Sequence, residues 1–193
     1  MHPTELRRQI FHLLYGPLLI LLHARGILNL KLLFALIVIG AGTSYFIKRQ
    51  RLSGVRRVLT FFERDHHLAT FPGRGIFYFT LGAFLALLLF ETPFAYGGIM
   101  ILSVGDGLSN LVGHSFKRFK PILNPTKSLE GTLAGIVASI PAAYYFVPQF
   151  LPVVVASVVA MVLELPHIRL GRFEIDDNLI IPVAAGFTLS LLA

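Results

Sequence analysis

The sequence predicts an all-α membrane protein, a polytopic bundle of about seven transmembrane helices forming one domain over residues 1–193. Three observations carry that prediction. Hydrophobic residues make up 55% of the chain and charged residues only 14%, where an ordinary soluble domain carries about a quarter charged. Mean hydropathy is +0.73, which leaves too little polar side chain to wet a globular surface. The basic excess is also distributed as it is in membrane proteins, on one side of the apolar segments. The same figures exclude disorder and low-complexity chains. A nucleic-acid module with a formal charge of +7 would not be this apolar, so no nucleic-acid partner is expected. There is no cysteine, hence no disulfide framework and no thiolate metal site.

A span needs about 20 apolar residues, fewer where flanking charges snorkel. The first candidate runs from Ile10 to His23, with a start nearer Thr4 also compatible with the pattern. Arg7 and Arg8 precede it, as they would a signal peptide, but no small-residue cleavage site follows. Ile27 to Ile47 is the second, Gly75 to Phe90 the third, and Ala95 to Gly113, which contains Asp106, the fourth. Asn124 to Val147, Pro152 to Leu165 and Asn178 to Ala193 complete the set. Connections are therefore short. Gly131 and Gly135 form a G-x-x-x-G step read as close helix packing. Between Lys48 and Arg74, Leu52, Val55, Val58, Leu59 and Phe62 recur at helical spacing among basic residues. That pattern predicts an amphipathic helix on an anionic membrane surface.

With the N-terminus inside, 15 of the 17 basic residues fall on the inner side and the C-terminus falls outside. A wrong number of spans would scramble that alternation. Nine of the ten acids lie at or near the same inner face, and topology does not account for them. Asp106 stands in S-V-G-D-G-L-S-N-L-V-G, where Ser103, Asp106, Asn110 and Gly113 share a helical face. Burying a carboxylate in a span costs at least about 2.5 kcal/mol. A metal, a basic partner or a water-filled cavity must offset that cost.

The next informative stretch is N-P-T-K-S-L-E-G-T. Asn124 is read as an N-cap with Pro125 at the first helical position. Lys127 then falls in the first turn, where it opposes the helix dipole but suits a phosphate. Glu130 follows three residues later, placed to pair with Lys127 or to hold a cation. The third group is Glu164, followed by F-E-I-D-D-N, in which Asp176 or Asp177 can cap the last helix. Carboxylates from Asp106, Glu130, Asp176 and Asp177 suit Mg²⁺, which needs only one or two of them plus substrate phosphates. His12 stands four residues after Arg8, so both can face one site, although an interfacial histidine fits equally. No zinc spacing, Walker A pattern or protein-kinase glycine loop is present.

Five blocks in this order resemble the CTP-dependent polyprenol and dolichol kinase family, which includes phytol kinases and a diacylglycerol kinase and is related to the phosphatidate cytidylyltransferases. They are E-L-R-R-Q-I-F-H (Glu5 to His12), F-P-G-R-G-I-F-Y-F (Phe71 to Phe79), G-D-G-L-S-N-L-V-G (Gly105 to Gly113), P-T-K-S-L-E-G-T (Pro125 to Thr132) and D-D-N-L-I-I-P (Asp176 to Pro182). The resemblance implies an integral-membrane enzyme, its active site facing the cytoplasm, that phosphorylates a long-chain lipid alcohol with CTP and Mg²⁺. It places Asp106, Lys127, Ser128, Glu130 and Gly131 at the CTP–metal site, with Asp176, Asp177 and Asn178 completing it. Asn110 lies in the same motif. Relatives often carry G-x-x-F-G-K after G-D-G, whereas this chain has G-H-S-F-K-R-F-K (Gly113 to Lys120). That departure leaves open which of Lys117, Arg118 and Lys120 meets phosphate. Arg8, His12 and Glu164 are expected on the substrate side. Two rivals remain at this level: a cytidylyltransferase attacking the α-phosphate, and a transporter with an acid-lined path.

Overall fold

Each apolar run folds as a helix in the computed structural model, which describes residues 3–49, 51–63, 65–116, 119–121, 124, 127–166, 168–170 and 173–193. The long helices are α1 (Pro3–Ala24), α2 (Leu30–Lys48) and α5 (Arg74–Leu89), with two short ones, α3 (Ser53–Leu59) and α4 (Asp65–Thr70), between the last two. A continuous rod follows, made of α6 (Thr92–Met100), a π-helical segment (Ile101–Asp106) and α7 (Gly107–Ser115). The bundle closes with α8 (Leu129–Tyr144), α9 (Phe150–Leu163) and α10 (Asp177–Leu192). Helix starts follow local capping chemistry. The Leu32 N–H donates to Asn29 Oδ1 at 3.0 Å, and the Asn178 N–H donates to Asp176 Oδ1 at 3.2 Å.

The fold is helical as expected, and among the described residues its strands are a short antiparallel hairpin, β1 (Arg169–Leu170) with β2 (Phe173–Glu174), in the α9–α10 connection. One expectation changes: α8 does not begin after Asn124. Its N-cap is Ser128, whose Oγ accepts from the Gly131 N–H at 3.0 Å. Serine is as good a cap as asparagine, and capping here leaves Lys127 one residue ahead of the cap rather than in the first turn.

Packing centres on α10, which lies against α5, α6 and α9. On the other side, α8 rests on α7, the π segment and α9, while α1 rests on the π segment and α7. The periphery is formed by α2, which packs chiefly on α5. Small residues line the contacts: Ala83, Ala86, Ala95, Ala143, Ala156, Ala160 and Ala185 are fully buried. Large apolar side chains point outward, among them Leu14, Ile39, Val137, Leu151 and Leu191. Larger side chains, Leu33, Phe79, Ile101 and Leu102 among them, are buried beside these alanines. A Cβ added at Gly131 would lie 2.5 Å from the Ser109 carbonyl oxygen, and one at Gly135 would lie 2.7 Å from that of Gly105. The G-x-x-x-G step thus lets α8 touch the backbone of the rod that carries Asp106. Among the described residues one helix, α2, is long and apolar enough to cross a membrane by length and composition. The apolar helices α5, α8, α9 and α10 are shorter, at 14–16 residues.

Candidate functional site

The polar side chains converge at one end of the bundle, where α5, α8 and α10 begin and α9 ends. Asp106 is carried there by the π segment. The wider turn inserts one extra residue per hydrogen bond, an irregularity that recurs at functional sites. The neighbouring Ser103 fixes this segment to α1 by donating its Oγ–H to the His12 carbonyl at 2.8 Å, with Leu13 O at 3.1 Å. Gly16 permits the approach, since a Cβ there would lie 2.5 Å from Ser103 Cβ.

Lys127 is the hub. Its ammonium donates to Glu164 Oε1 and lies 3.7 Å from Asp106 Oδ1 and 3.6 Å from Asp177 Oδ2. Glu164, at the end of α9, is 1% exposed. Ser109 Oγ donates to its Oε1 at 3.3 Å and the Asp106 carboxyl lies within hydrogen-bonding reach of Glu164, while Oε2 meets no N–H or O–H donor among the described residues. Asp106 is buried too, and Asn110 Nδ2 donates to its Oδ1 at 2.7 Å. On the other side of Asp106, His12 Nε2 stands 3.4 Å from Oδ2 and 2.8 Å from Asn178 Oδ1. The imidazole is held by its Nδ1, 3.3 Å from Ser103 O, and by an edge contact with the Phe79 ring. Three carboxylates therefore share one ammonium in a setting of low polarity, where unneutralised charge is costly.

A second polar cluster adjoins the first. Asp176 Oδ2 accepts from Arg74 Nε at 2.8 Å, tying the start of α5 to the cap of α10. Arg8 Nη2 donates to Glu5 Oε1 at 2.6 Å, and Gln9 Nε2 to the same oxygen at 2.7 Å. Glu63 accepts from the Gly73 N–H at 2.8 Å, at the first turn of α5. Burial pushes its carboxyl above the ordinary 4.5, against the lowering pull of the Gly73, Gly75 and Arg74 N–H groups and of Arg8.

The site residues named from sequence divide accordingly. Asp106, Lys127, Glu164, Asp177, His12, Asn178 and Asn110 meet around one centre. Glu130 faces elsewhere, its carboxylate accepting from the Phe119 N–H at 3.1 Å. Asp176 serves as cap and as the partner of Arg74, and Arg8 belongs to the cluster around Glu5. Ser128 and Gly131 shape the start of α8. Lys120 is exposed beyond α7. Lys117 and Arg118 lie outside the described residues, as do Pro125 and Thr126. Sequence reasoning did not find Glu63, Ser109 or the role of Arg74, although Arg74 lies in the F-P-G-R-G block.

As for a divalent ion, no group of three or more His, Cys, Asp or Glu among the described residues forms a ready cage. The donor set is nevertheless hard oxygen, and it includes Glu164 Oε2, which meets no N–H or O–H donor among the described residues. Mg²⁺ takes one or two carboxylates and completes its shell with water and phosphate, so the residues fit it.

No family model matches the chain, and no solved structure matches it. It is similar to the uncharacterized protein MJ1137 of Methanocaldococcus jannaschii, 28% identical over 192 residues that cover 96% of this chain and 93% of that protein. It is also similar to the CTP-dependent diacylglycerol kinase 1 of Schizosaccharomyces pombe, 25% identical over 130 residues. That second alignment covers 61% of this chain and 60% of the kinase.

Proposed function

We propose that this chain is an integral-membrane kinase that transfers the γ-phosphoryl group of CTP to the hydroxyl of a lipid alcohol of polyprenol or dolichol type. The observation that carries the reading is the buried centre in which Asp106, Glu164 and Asp177 face Lys127, flanked by His12 and Asn178. Similarity to a CTP-dependent diacylglycerol kinase supports the choice of CTP and of a lipid acceptor. The outward-facing apolar surface supports a membrane setting. In this reading seven helices cross the bilayer, the shorter ones by snorkelling of their flanking charges. The N-terminus and the site face the cytoplasm, and the C-terminus faces outward.

Phosphoryl transfer asks mainly for positioning and charge neutralisation. Lys127 is placed to meet phosphate oxygens as a mobile cation. Asp106 is the group that orients the acceptor hydroxyl and takes its proton as the bond from oxygen to the γ-phosphorus forms and CDP leaves. His12 and Asn110 hold Asp106 in place from two sides. Mg²⁺ on one or two of the Asp106, Glu164 and Asp177 carboxylates would supply further neutralisation of the phosphates. Glu130 and Asp176 then act by fixing the loops around the centre. The lipid tail remains among the spans, which explains why the site lies at a bundle end instead of in a soluble domain.

The test is incubation of membranes containing the chain with CTP and a panel of polyprenol, dolichol, phytol and diacylglycerol. The expected result is a phosphorylated lipid formed with CTP and not with ATP. Absence of phosphate gain in every lipid would overturn the reading.

A further inference from the structure

The carboxylate centre already holds a cation, and it is a side chain. Asp106 Oδ1 and Asp177 Oδ2 stand 3.7 and 3.6 Å from Lys127 Nζ. Mg²⁺ would require its oxygens at about 2.0–2.1 Å, so a metal and the ammonium cannot share the space. Glu164 adds the decisive detail. It is fully buried beside the Asp106 carboxyl, one oxygen is held by Lys127 and Ser109, and the other meets no N–H or O–H donor among the described residues. A carboxylate half-satisfied in this way is costly to bury, and that second oxygen remains available to a second ligand. Lysine is the residue for such a place. Its charge sits at the end of a four-carbon stem, and the head can leave without the backbone moving.

We propose that Lys127 is a resident placeholder cation, which keeps the Asp106–Glu164–Asp177 carboxylates closed to a free divalent ion until nucleotide phosphates draw its ammonium away. The proposal rests on the kinase reading above and gives that site an order of events. Metal binds with the nucleotide and not before it. An empty enzyme is thereby protected from tight metal occupancy, and Lys127 changes partners from carboxylate to phosphate in the same movement. Charge stays balanced, because the incoming complex brings both the divalent cation that replaces the ammonium and the phosphates that receive it.

The experiment uses the purified full chain in detergent or nanodiscs, with Mn²⁺ binding followed by its electron paramagnetic resonance signal. Mn²⁺ alone is expected to bind the unaltered protein weakly and to bind more tightly once CTP is added. Lys127→Gln is expected to raise the affinity for Mn²⁺ alone by about tenfold or more, since a neighbouring positive charge has gone. Lys127→Arg, which keeps the charge, is expected to leave that affinity near the unaltered value. Thermal unfolding guards against a folding defect: Mn²⁺ should raise the midpoint of Lys127→Gln more than that of the unaltered protein. If Lys127→Gln binds Mn²⁺ no more tightly than the unaltered chain, the placeholder role is overturned, while CTP-dependent lipid phosphorylation would still stand. If Lys127→Gln gains Mn²⁺ affinity but the unaltered protein phosphorylates no lipid with CTP, the cation-for-cation exchange at the carboxylates survives and the kinase reading falls.

Discussion

Around Arg74 and Arg8 the charges are matched nearly one to one, with Asp176 on Arg74 and Glu5 on Arg8. Around Lys127, a few side chains away, three carboxylates meet a single ammonium. Both clusters are partly or wholly shielded from water, and both join helices distant in sequence. The matched cluster behaves as a fastener: each pair holds a helix start or a turn, although Arg8 Nε, Gln9 Oε1 and Glu63 Oε1 are buried without hydrogen-bond partners among the described residues. The unmatched cluster carries three carboxyl groups against one ammonium, an excess that a fastener would not need. The comparison teaches that the count of charges, more than their burial, separates structure from chemistry in this molecule.

If the distinction is right, substitutions in the two clusters differ in kind. Asp106→Asn keeps the side-chain shape and removes the proton acceptor. It should lower kcat by roughly 10²–10³-fold or more, as loss of one preorganised electrostatic group commonly does, with the protein still folded. Glu164→Gln should follow, with a fall in kcat of about tenfold or more and the loss of one carboxylate from the metal set, visible as a lower affinity for Mn²⁺ in the presence of CTP. Arg74→Ala should act on stability instead. It removes a bond to a charged group, which contributes roughly 1–3 kcal/mol, and should lower the unfolding midpoint while changing kcat by less than either substitution above. A kcat loss for Arg74→Ala equal to that for Asp106→Asn would break the comparison.

The smallest effect concerns Glu63. Burial raises its carboxyl above 4.5 in the folded protein, so the folded state holds that proton more tightly than the unfolded state. Its contribution to stability is therefore full below the ordinary carboxylate value and declines as pH rises through the folded value. Glu63→Gln should flatten that part of the profile of unfolding midpoint against pH. An unchanged slope would show that Glu63 is not the group responsible.

Much of the helical skeleton was legible because long apolar runs leave few alternatives. The run Ile27–Ile47 became Leu30–Lys48, and Asn178–Ala193 became Asp177–Leu192. The G-x-x-x-G step gave the close packing of α8 in advance. The π segment was not legible, since nothing in I-L-S-V-G-D distinguishes a wide turn from a regular one before Ser103 finds its partners on α1. The start of α8 was misplaced by four residues because Asn124 and Ser128 are both good caps, and only the tertiary setting chooses. Within the site, Asp106, Lys127 and Asp177 could be named as acids or bases in the wrong solvent. That Lys127 would settle on Glu164, 37 residues away, could not. Glu130 and Asp176 looked equivalent to the others by charge, and their different partners come from neighbouring backbone and from Arg74. Glu63 was missed because two acids, Glu63 and Asp65, in a basic loop give no periodic signal.

The most direct test of the central claim follows two labels in one molecule of CTP, one in the γ-phosphate and one in the cytidine, supplied to the purified protein with a lipid alcohol. The γ-phosphate label is predicted to appear in the lipid while the cytidine label stays in water as CDP. Cytidine label in the lipid, with pyrophosphate released, would contradict a kinase and assign the carboxylate centre to attack at the α-phosphate.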